Sequence, residues 1–427
     1  MEKISIYDII YPKYNIKNEI RLIELFAGIG SQAKALERLK VKFVHYKVIE
    51  FDKYAIKSYN AIHGTNFKTS DITKTKASDL EIVNTDKYEY IMTYSFPCQD
   101  LSPAGKQRGM SKGSGTRSGL LWEVERLLDE CEELPQILLM ENVPEVIGQK
   151  NIEDFQKWQL KLESLGYSNY VQILNAKDYG IPQSRRRCFM ISILGKYNYT
   201  FPKKIKLKLF LKDMLEENVD EKYYLSEKMI NCFTSKGTGK FPRSERFYQS
   251  LNKVNKENIA NTIITTEGTK PTCNFIIIPE NTKKGYAKAY DGDGVYINRP
   301  HQKRGVVQKG MIQTLKTSCN DDGVVCENKI IGIYDFKSSD KFIGKKNRFK
   351  KTDCASTIKT FVHQGVVYND LTIRKLTPLE CWRLMGFDDN DFYKCQKINS
   401  NTQLYKQAGN SIVVNVLYYI FKQLLED

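Results

Sequence analysis

Apolar residues fall into short, near-continuous runs through the first 195 positions. Arg21-Leu22-Ile23-Glu24-Leu25-Phe26, Phe43–Ile49, Tyr90-Ile91-Met92-Thr93-Tyr94, Ile137-Leu138-Leu139-Met140, residues 170–175 and residues 188–194 each read as a strand. Residues 32–40, 120–131 and 154–165 carry helical period instead. Apolar strands alternating with helices predict a parallel sheet covered on both faces, an α/β doubly wound fold. From about residue 196 the pattern changes: lysines thicken (Lys203, Lys204, Lys206, Lys208), turns multiply and helical period fades. A weak repeat of the form T-[I/L]-x-T recurs in Asn261-Thr262-Ile263-Ile264-Thr265, Gln313-Thr314-Leu315-Lys316-Thr317 and Ser356-Thr357-Ile358-Lys359-Thr360. It predicts a second, smaller domain of short strands and hairpins. Helical pattern resumes after Arg374, with Thr377 and Glu380 spaced as a capping box and Pro378 at the first helical position. Gln407-Ala408-Gly409-Asn410-Ser411 reads as a glycine turn before an apolar terminal helix, residues 412–425, placed to rejoin the first domain. The expected domains are 1–195, 196–372 and 373–427.

Chemistry gathers at the predicted strand ends. Ala27-Gly28-Ile29-Gly30-Ser31 is a tight turn between a strand and a helix, where backbone can approach a ligand closely. Glu50 ends the second strand, where an acid can accept hydrogen bonds from both ribose hydroxyls, and Phe51 beside it can stack on a base. Asp71, in Ser70-Asp71-Ile72-Thr73, fits a turn or a helix cap as readily as a ligand contact. Cys98 follows the third strand in Ser95-Phe96-Pro97-Cys98-Gln99; Pro97 has no N–H and stiffens the approach. Alone, a cysteine is more often a small buried hydrophobe than a nucleophile. Glu141 follows a fully apolar strand, so it is either ion-paired or raised in pKa by desolvation. Arg185-Arg186-Arg187 is a solvated basic turn, or, with alternate side chains on one face, a site where Arg185 and Arg187 together hold a phosphate or a base carbonyl.

Composition narrows the partners. The 427 residues include 66 Lys+Arg against 50 Asp+Glu, a net charge of +16 that favours a polyanion. The 10 cysteines include no C-x-x-C pair, which argues against a disulfide framework or zinc site and fits a reducing cytoplasm. His45, His63, His301 and His363 are scattered, so no metal is expected. No signal-peptide pattern or membrane-length apolar run is present. Asp291-Gly292-Asp293-Gly294 has Gln302 where a calcium loop needs a bidentate Glu, so a turn is expected. Lys341, Lys345, Lys346, Arg348, Lys350 and Lys351 form a basic run that reads as a solvated face or a phosphate contact.

Six segments, in this order, resemble the DNA (cytosine-5) methyltransferase family of bacterial or phage restriction-modification type: Glu24-Leu25-Phe26-Ala27-Gly28-Ile29-Gly30, Phe96-Pro97-Cys98-Gln99, Glu141-Asn142-Val143, Gln183-x-Arg185-x-Arg187, residues 374–387, and Gln407-Ala408-Gly409-Asn410-Ser411. Glu24 stands where the family often has Asp, and Leu101 replaces a usual Phe. The resemblance implies a Rossmann-like methyltransferase sheet, with the terminal helix beside its first strand, and a strand-rich target-recognition domain in the middle. It implies transfer of a methyl group from S-adenosyl-L-methionine to carbon 5 of a cytosine flipped out of double-stranded DNA. Cys98 is then the nucleophile at carbon 6, Glu141 the acid at ring nitrogen 3, Arg187 the contact to the base carbonyl and Arg185 a phosphate contact. Phe26, Gly28, Gly30, Glu50, Phe51, Asp71, Ile72, Pro97, Asn410 and Ser411 line the cofactor site, with Glu50 on the ribose and Asp71 on the adenine amino group. The loop from Gln99 to Gly119 is expected to close over the flipped base, and a cytoplasmic monomer is expected. The nearest rival is the tRNA cytosine-5 methyltransferase branch, whose middle region is shorter.

Overall fold

The computed structural model describes residues 11–101, 107–223 and 376–425; between 276 and 375 it describes 276–279, 286–289, 293–296, 305–313, 322–326, 332–336, 349–350, 363–367 and 372–375. The T-[I/L]-x-T units, apart from Gln313, and most of the basic run around Lys345 lie outside the described residues, as do residues 102–106 of the Cys98 loop. The chain folds as two units, divided between Met214 and Leu215 and between Thr377 and Pro378.

The first unit opens as the apolar runs predict. In order come β1 (Glu19–Leu25), α1 (Ser31–Arg38), β2 (Phe43–Ile49), α2 (Lys53–His63), a single turn α3 (Ala77–Leu80), β3 (Tyr88–Tyr94), α4 (Leu121–Glu130), β4 (Ile137–Asn142), α5 (Ile152–Ser164), β5 (Tyr167–Asn175) and β6 (Arg186–Leu194). They build one six-stranded sheet ordered β2-β1-β3-β4-β6-β5. β1 pairs in parallel with both β2 and β3, and β3 with β4. β6 runs antiparallel to β4 and to β5. Leu22, Ile23, Leu25, Met92, Leu138 and Met140 are fully buried, as expected for strands covered on both faces. Because β1 has neighbours on both sides, the chain reverses its strand order there, and the crevice at its carboxyl end is where such sheets bind ligands.

The interior of α2 carries a weak apolar period, and its ends are what mark it. Asp52 Oδ1 accepts from Tyr54 N at 2.8 Å, and Gly64 ends the helix at φ 68°. After the second unit the chain returns as α6 (Pro378–Leu384), α7 (Asp389–Gln396), α8 (Asn401–Asn410) and α9 (Val414–Leu425). One expectation is corrected here: Gln407 to Asn410 form the last turn of α8, not a glycine turn. The helix stops at Ser411, whose N–H and hydroxyl both donate to the Gln407 carbonyl, at 3.0 and 2.7 Å. α9 packs on α1, where Arg38 Nη1 donates to Asn415 Oδ1 at 3.1 Å.

The described part of the second unit is built of short antiparallel strands. Gly294–Tyr296, Val307–Gln308, Asp322–Cys326 and Thr372–Lys375 form a four-stranded sheet; Gly332–Phe336, Phe349–Lys350 and His363–Val367 form a three-stranded one; Ile276–Pro279 and Tyr286–Ala289 form a hairpin. Of the turn expected at 291–294, residues 291 and 292 lie outside the described residues; Asp293, just before the strand Gly294–Tyr296, accepts through Oδ1 from Gly310 N at 2.9 Å and pairs through Oδ2 with Lys309 at 2.6 Å.

Candidate active site

The carboxyl ends of β1, β2, β3 and β4 lie side by side, and each delivers part of one constellation. After β1 the backbone turns sharply through Phe26 (φ 58°), Gly28 (φ 60°) and Gly30 (φ 81°). Left-handed φ is costly for a residue with a Cβ, so Phe26 marks a strained position of the kind found at ligand sites. Gly30 is required on a second count, since a Cβ there would stand 2.2 Å from His63 Nε2.

Glu50 ties this turn to the end of β2. Its Oε2 accepts from Gly28 N at 2.8 Å and its Oε1 from Asp52 N at 2.7 Å. Burial pushes the carboxyl above its ordinary value, and the backbone N–H bonds oppose that rise. Each carboxylate oxygen keeps a second lone pair for an outside donor such as a hydroxyl. Phe51 beside it is 78% exposed, an apolar ring turned to solvent. Asp71 takes its turn role: Oδ1 accepts from Thr73 N at 3.0 Å and from Thr73 Oγ1 at 2.8 Å, which holds its carboxyl below the ordinary value. Ile72 is buried behind it.

The segment after β3 is held by its backbone carbonyls. Asn142 Nδ2 donates to Phe96 O at 2.9 Å, Ser118 Oγ donates to Pro97 O at 2.6 Å, and Leu101 N donates to Cys98 O at 3.0 Å. Cys98 is thus presented half-buried against the core by three fixed peptide groups. Burial raises the thiol's pKa above its usual value, opposed first by the charge of Arg187; Glu141 adds to the rise and Arg185 works against it.

Glu141 and Arg187 meet because β6 runs against β4. Glu141 pairs with Phe189 across the ladder, so Arg187, two residues earlier, shares the Glu141 face on the diagonal. Arg187 Nε stands 3.1 Å from Glu141 Oε1, and Glu141 is 8% exposed. Burial drives the Glu141 carboxyl upward, with the Arg187 charge the largest force against it.

Arg185, Arg187 and Phe189 line one small pocket, as the alternation predicts, although the strand itself begins at Arg186. Arg185 also makes contacts that the alternation does not reveal. Arg185 is only 4% exposed, and its Nη2 donates to Gly409 O at 3.1 Å and Ser411 O at 2.8 Å. Two positions before it, Gln183 Nε2 donates to Leu384 O at 2.8 Å. These two side chains bind the arginine segment to the returning helices, while Arg187 turns to Glu141. Asn410 is exposed at the end of α8 and Ser411 is buried below it.

Asn142, Ser118 and Gln183 hold the site but are not singled out by sequence reasoning. Asn142 and Gln183 do lie inside the quoted motifs, and that adjacency is their signal. Over its described part the loop after Cys98 is bonded to the elements around it. Met110 is fully buried with its carbonyl accepting from Trp122 Nε1 at 2.7 Å, Ser111 Oγ donates to Asp154 Oδ2 at 2.7 Å, and Arg117 N donates to Asp100 Oδ2 at 2.9 Å. Residues 107–119 are therefore anchored to α4 and α5.

A Rossmann-like sheet bearing a thiol, a buried carboxyl and a guanidinium at one crevice defines a transferase-type scaffold. The chain belongs to the C-5 cytosine-specific DNA methylase family, whose profile matches residues 20–426. With that family comes sequence-specific methylation of cytosine in DNA at carbon 5. The chain is 30% identical over 456 residues to the type II methyltransferase M2.ScrFI of Lactococcus lactis subsp. cremoris, covering 96% of this chain and 99% of that one. It is 39% identical over 269 residues to the orphan methyltransferase M.SssI of Spiroplasma monobiae, over 50% of this chain and 69% of the relative. Among solved structures, the Entamoeba histolytica methyltransferase EhMeth shares the fold at TM-score 0.54 and 16% identity, covering 96% of this chain and 98% of that one.

Proposed function

We propose that Cys98 adds through sulfur to carbon 6 of a cytosine flipped out of duplex DNA, and that S-adenosyl-L-methionine is the methyl donor. The observation that carries this reading is the Arg187–Glu141 pair at 3.1 Å beside the Cys98 thiol. Pyrimidine carbon 5 is a poor nucleophile. Bonding sulfur to carbon 6 turns the ring into an enamine that reacts at carbon 5; loss of the carbon 5 proton then expels the sulfur. Glu141, raised by burial, hydrogen-bonds or protonates ring nitrogen 3 as charge develops there. Arg187 holds that carboxyl in place and is the donor assigned to the base carbonyl. Such a base has to leave the stack to reach Cys98.

The cofactor fits the residues at the β1–β2 crevice. Glu50 retains lone pairs for the ribose hydroxyls, exposed Phe51 can stack on adenine, and Phe26, Gly28, Gly30, Asp71, Ile72, Pro97, Asn410 and Ser411 complete the wall. When bound, S-adenosylmethionine supplies an electrophilic methyl group. Arg185 acts in this reading by positioning, through the α8 end that carries Asn410. The strand-rich unit between Leu215 and Thr377 serves as the target-recognition domain. No helix among the described residues is long and apolar enough to cross a membrane.

The test is bisulfite sequencing of DNA and RNA from a host without cytosine-5 methylation that expresses the wild-type chain or Cys98→Ser. Wild type should protect cytosines in one short recurring DNA motif and Cys98→Ser none. Protection confined to a tRNA position, or retained by Cys98→Ser, would overturn the proposal.

A further inference from the structure

Three side chains meet behind the glycine turn, outside the site described above. Glu37 comes from α1, His45 from β2 and His63 from the last residue of α2. One donor atom from each lies within 4.8 Å of the others, and the two imidazole rings stand 5.1 Å apart. The histidines are scattered in sequence, and the β1-α1-β2-α2 crossover brings these two together.

The hydrogen bonds around them determine which ring nitrogen is left to coordinate. Tyr59 OH donates its one hydrogen to Glu24 Oε2 at 2.5 Å. Tyr59 oxygen can then only accept from His45 Nδ1, 2.9 Å away, which leaves the lone pair of His45 on Nε2. His63 Nε2 lies 3.3 Å from the Ile29 carbonyl, which can only accept, and His63 Nδ1 donates to Glu37 Oε1. An ion bound there takes the place of the proton between His63 Nδ1 and Glu37 Oε1, which stand 2.5 Å apart. With that proton displaced, each imidazole keeps one N–H on a fixed acceptor and offers its other nitrogen to the cluster, the arrangement that orients metal-ligating histidines.

We propose that Glu37, His45 and His63 form a site for a divalent transition metal ion, with Zn²⁺ the best match to two imidazoles and a carboxylate and water as the fourth ligand. Tetrahedral coordination with bonds of about 2.0–2.1 Å places donor atoms about 3.4 Å apart. Reaching that spacing takes small side-chain rotations of the three ligands, and the Glu37 side chain, 33% exposed, has room to turn. Lys34 lies 3.5 Å from Glu37 Oε2 but closer to Asp391, at 2.8 Å, and Asp388, at 3.2 Å, so it keeps acid partners when Glu37 turns. The plainer alternative, a His63–Glu37 ion pair, needs no part from His45. A bound ion would instead cross-link α1, β2 and α2 and brace His63 against the Ile29 carbonyl of the glycine turn.

The experiment uses the full chain, stripped with a chelator and titrated with Co²⁺ as a spectroscopic probe for Zn²⁺. The expected result is one Co²⁺ per chain, with visible bands of a tetrahedral nitrogen–oxygen site and no thiolate charge-transfer band. Glu37→Gln and His45→Gln should each weaken binding at least about tenfold while leaving the circular dichroism unchanged. Zn²⁺ should raise Tm in wild type and not in either variant. Failure of the wild type to bind one equivalent, a thiolate band, or binding by either variant as tight as that of wild type would overturn the proposal. None of these readouts depends on methyl transfer.

Discussion

Arg187 and Glu141, paired at 3.1 Å across adjacent antiparallel strands, pull the Cys98 thiol in opposite directions. The guanidinium favours thiolate and the carboxylate opposes it. Glu141→Gln removes a negative charge, so the Cys98 pKa should fall and iodoacetamide should alkylate Cys98 a few-fold faster at pH 8. Methyl transfer should fall by about 10²–10⁴, the range for a lost general acid. Alkylation and methylation rates falling together would show that Glu141 acts on the fold and not on the thiol and base.

The same pair sets a stability prediction. Arg187→Ala leaves Glu141 buried without its 3.1 Å partner, which should cost about 3–5 kcal/mol in urea unfolding. Adding Glu141→Gln to Arg187→Ala should restore most of that loss, because the orphaned charge is gone, while activity stays absent. No recovery in the double variant would mean that Arg187 stabilises by packing alone.

Gly28 and Gly30 separate backbone strain from steric clash. A Cβ at Gly28 meets nothing within 4 Å, so Gly28→Ala should cost only the left-handed penalty, about 1–2 kcal/mol. Gly30→Ala adds a 2.2 Å approach to His63 Nε2 and should cost clearly more, with weaker cofactor binding by calorimetry. Equal Tm losses for the two would remove His63 from the argument.

Glu89 gives a pH signature away from the catalytic crevice. Burial pushes its carboxyl up to about 7, opposed by the hydrogen bond donated by Tyr14 OH at 2.5 Å. An acid raised on folding binds its proton more tightly in the native state, so its stabilising contribution is complete below the ordinary value near 4.5 and is lost as pH rises towards 7. Glu89→Gln should flatten that part of the stability profile between pH 4.5 and 7. An unchanged slope across that window would assign the pH dependence to other groups.

Much of the fold is legible because it rests on local signals. Apolar runs such as residues 137–140 and the glycines after β1 specify buried strands and a tight turn with little help from the rest of the chain. Cys98, Glu141 and Arg187 are legible through their motifs, and the antiparallel β6 then explains why the last two touch. The bonds of Arg185 are not, because they depend on carbonyls more than two hundred residues away. The α8 end is misread for a related reason: Gly409 carries a turn signal, but buried packing of Leu404, Gln407 and Ala408 keeps the helix going through it. The Glu37–His45–His63 cluster has no motif at all; only the crossover makes it.

The bonds that Gln183, Arg185 and Arg383 make have a consequence for how the chain can be cut. Gln183 and Arg185 reach Leu384, Gly409 and Ser411, and Arg383 Nη1 reaches back to Met214 O at 3.2 Å. Gln407 Nε2 donates to Tyr54 O at 3.0 Å, and Lys34 pairs with Asp391. The last fifty residues are thus stitched to the first two hundred by side chains rather than by the peptide that joins them. Two separate polypeptides, ending and restarting on either side of the second unit, carry every one of these stitches and have what they need to reassemble the sheet and its crevice by complementation.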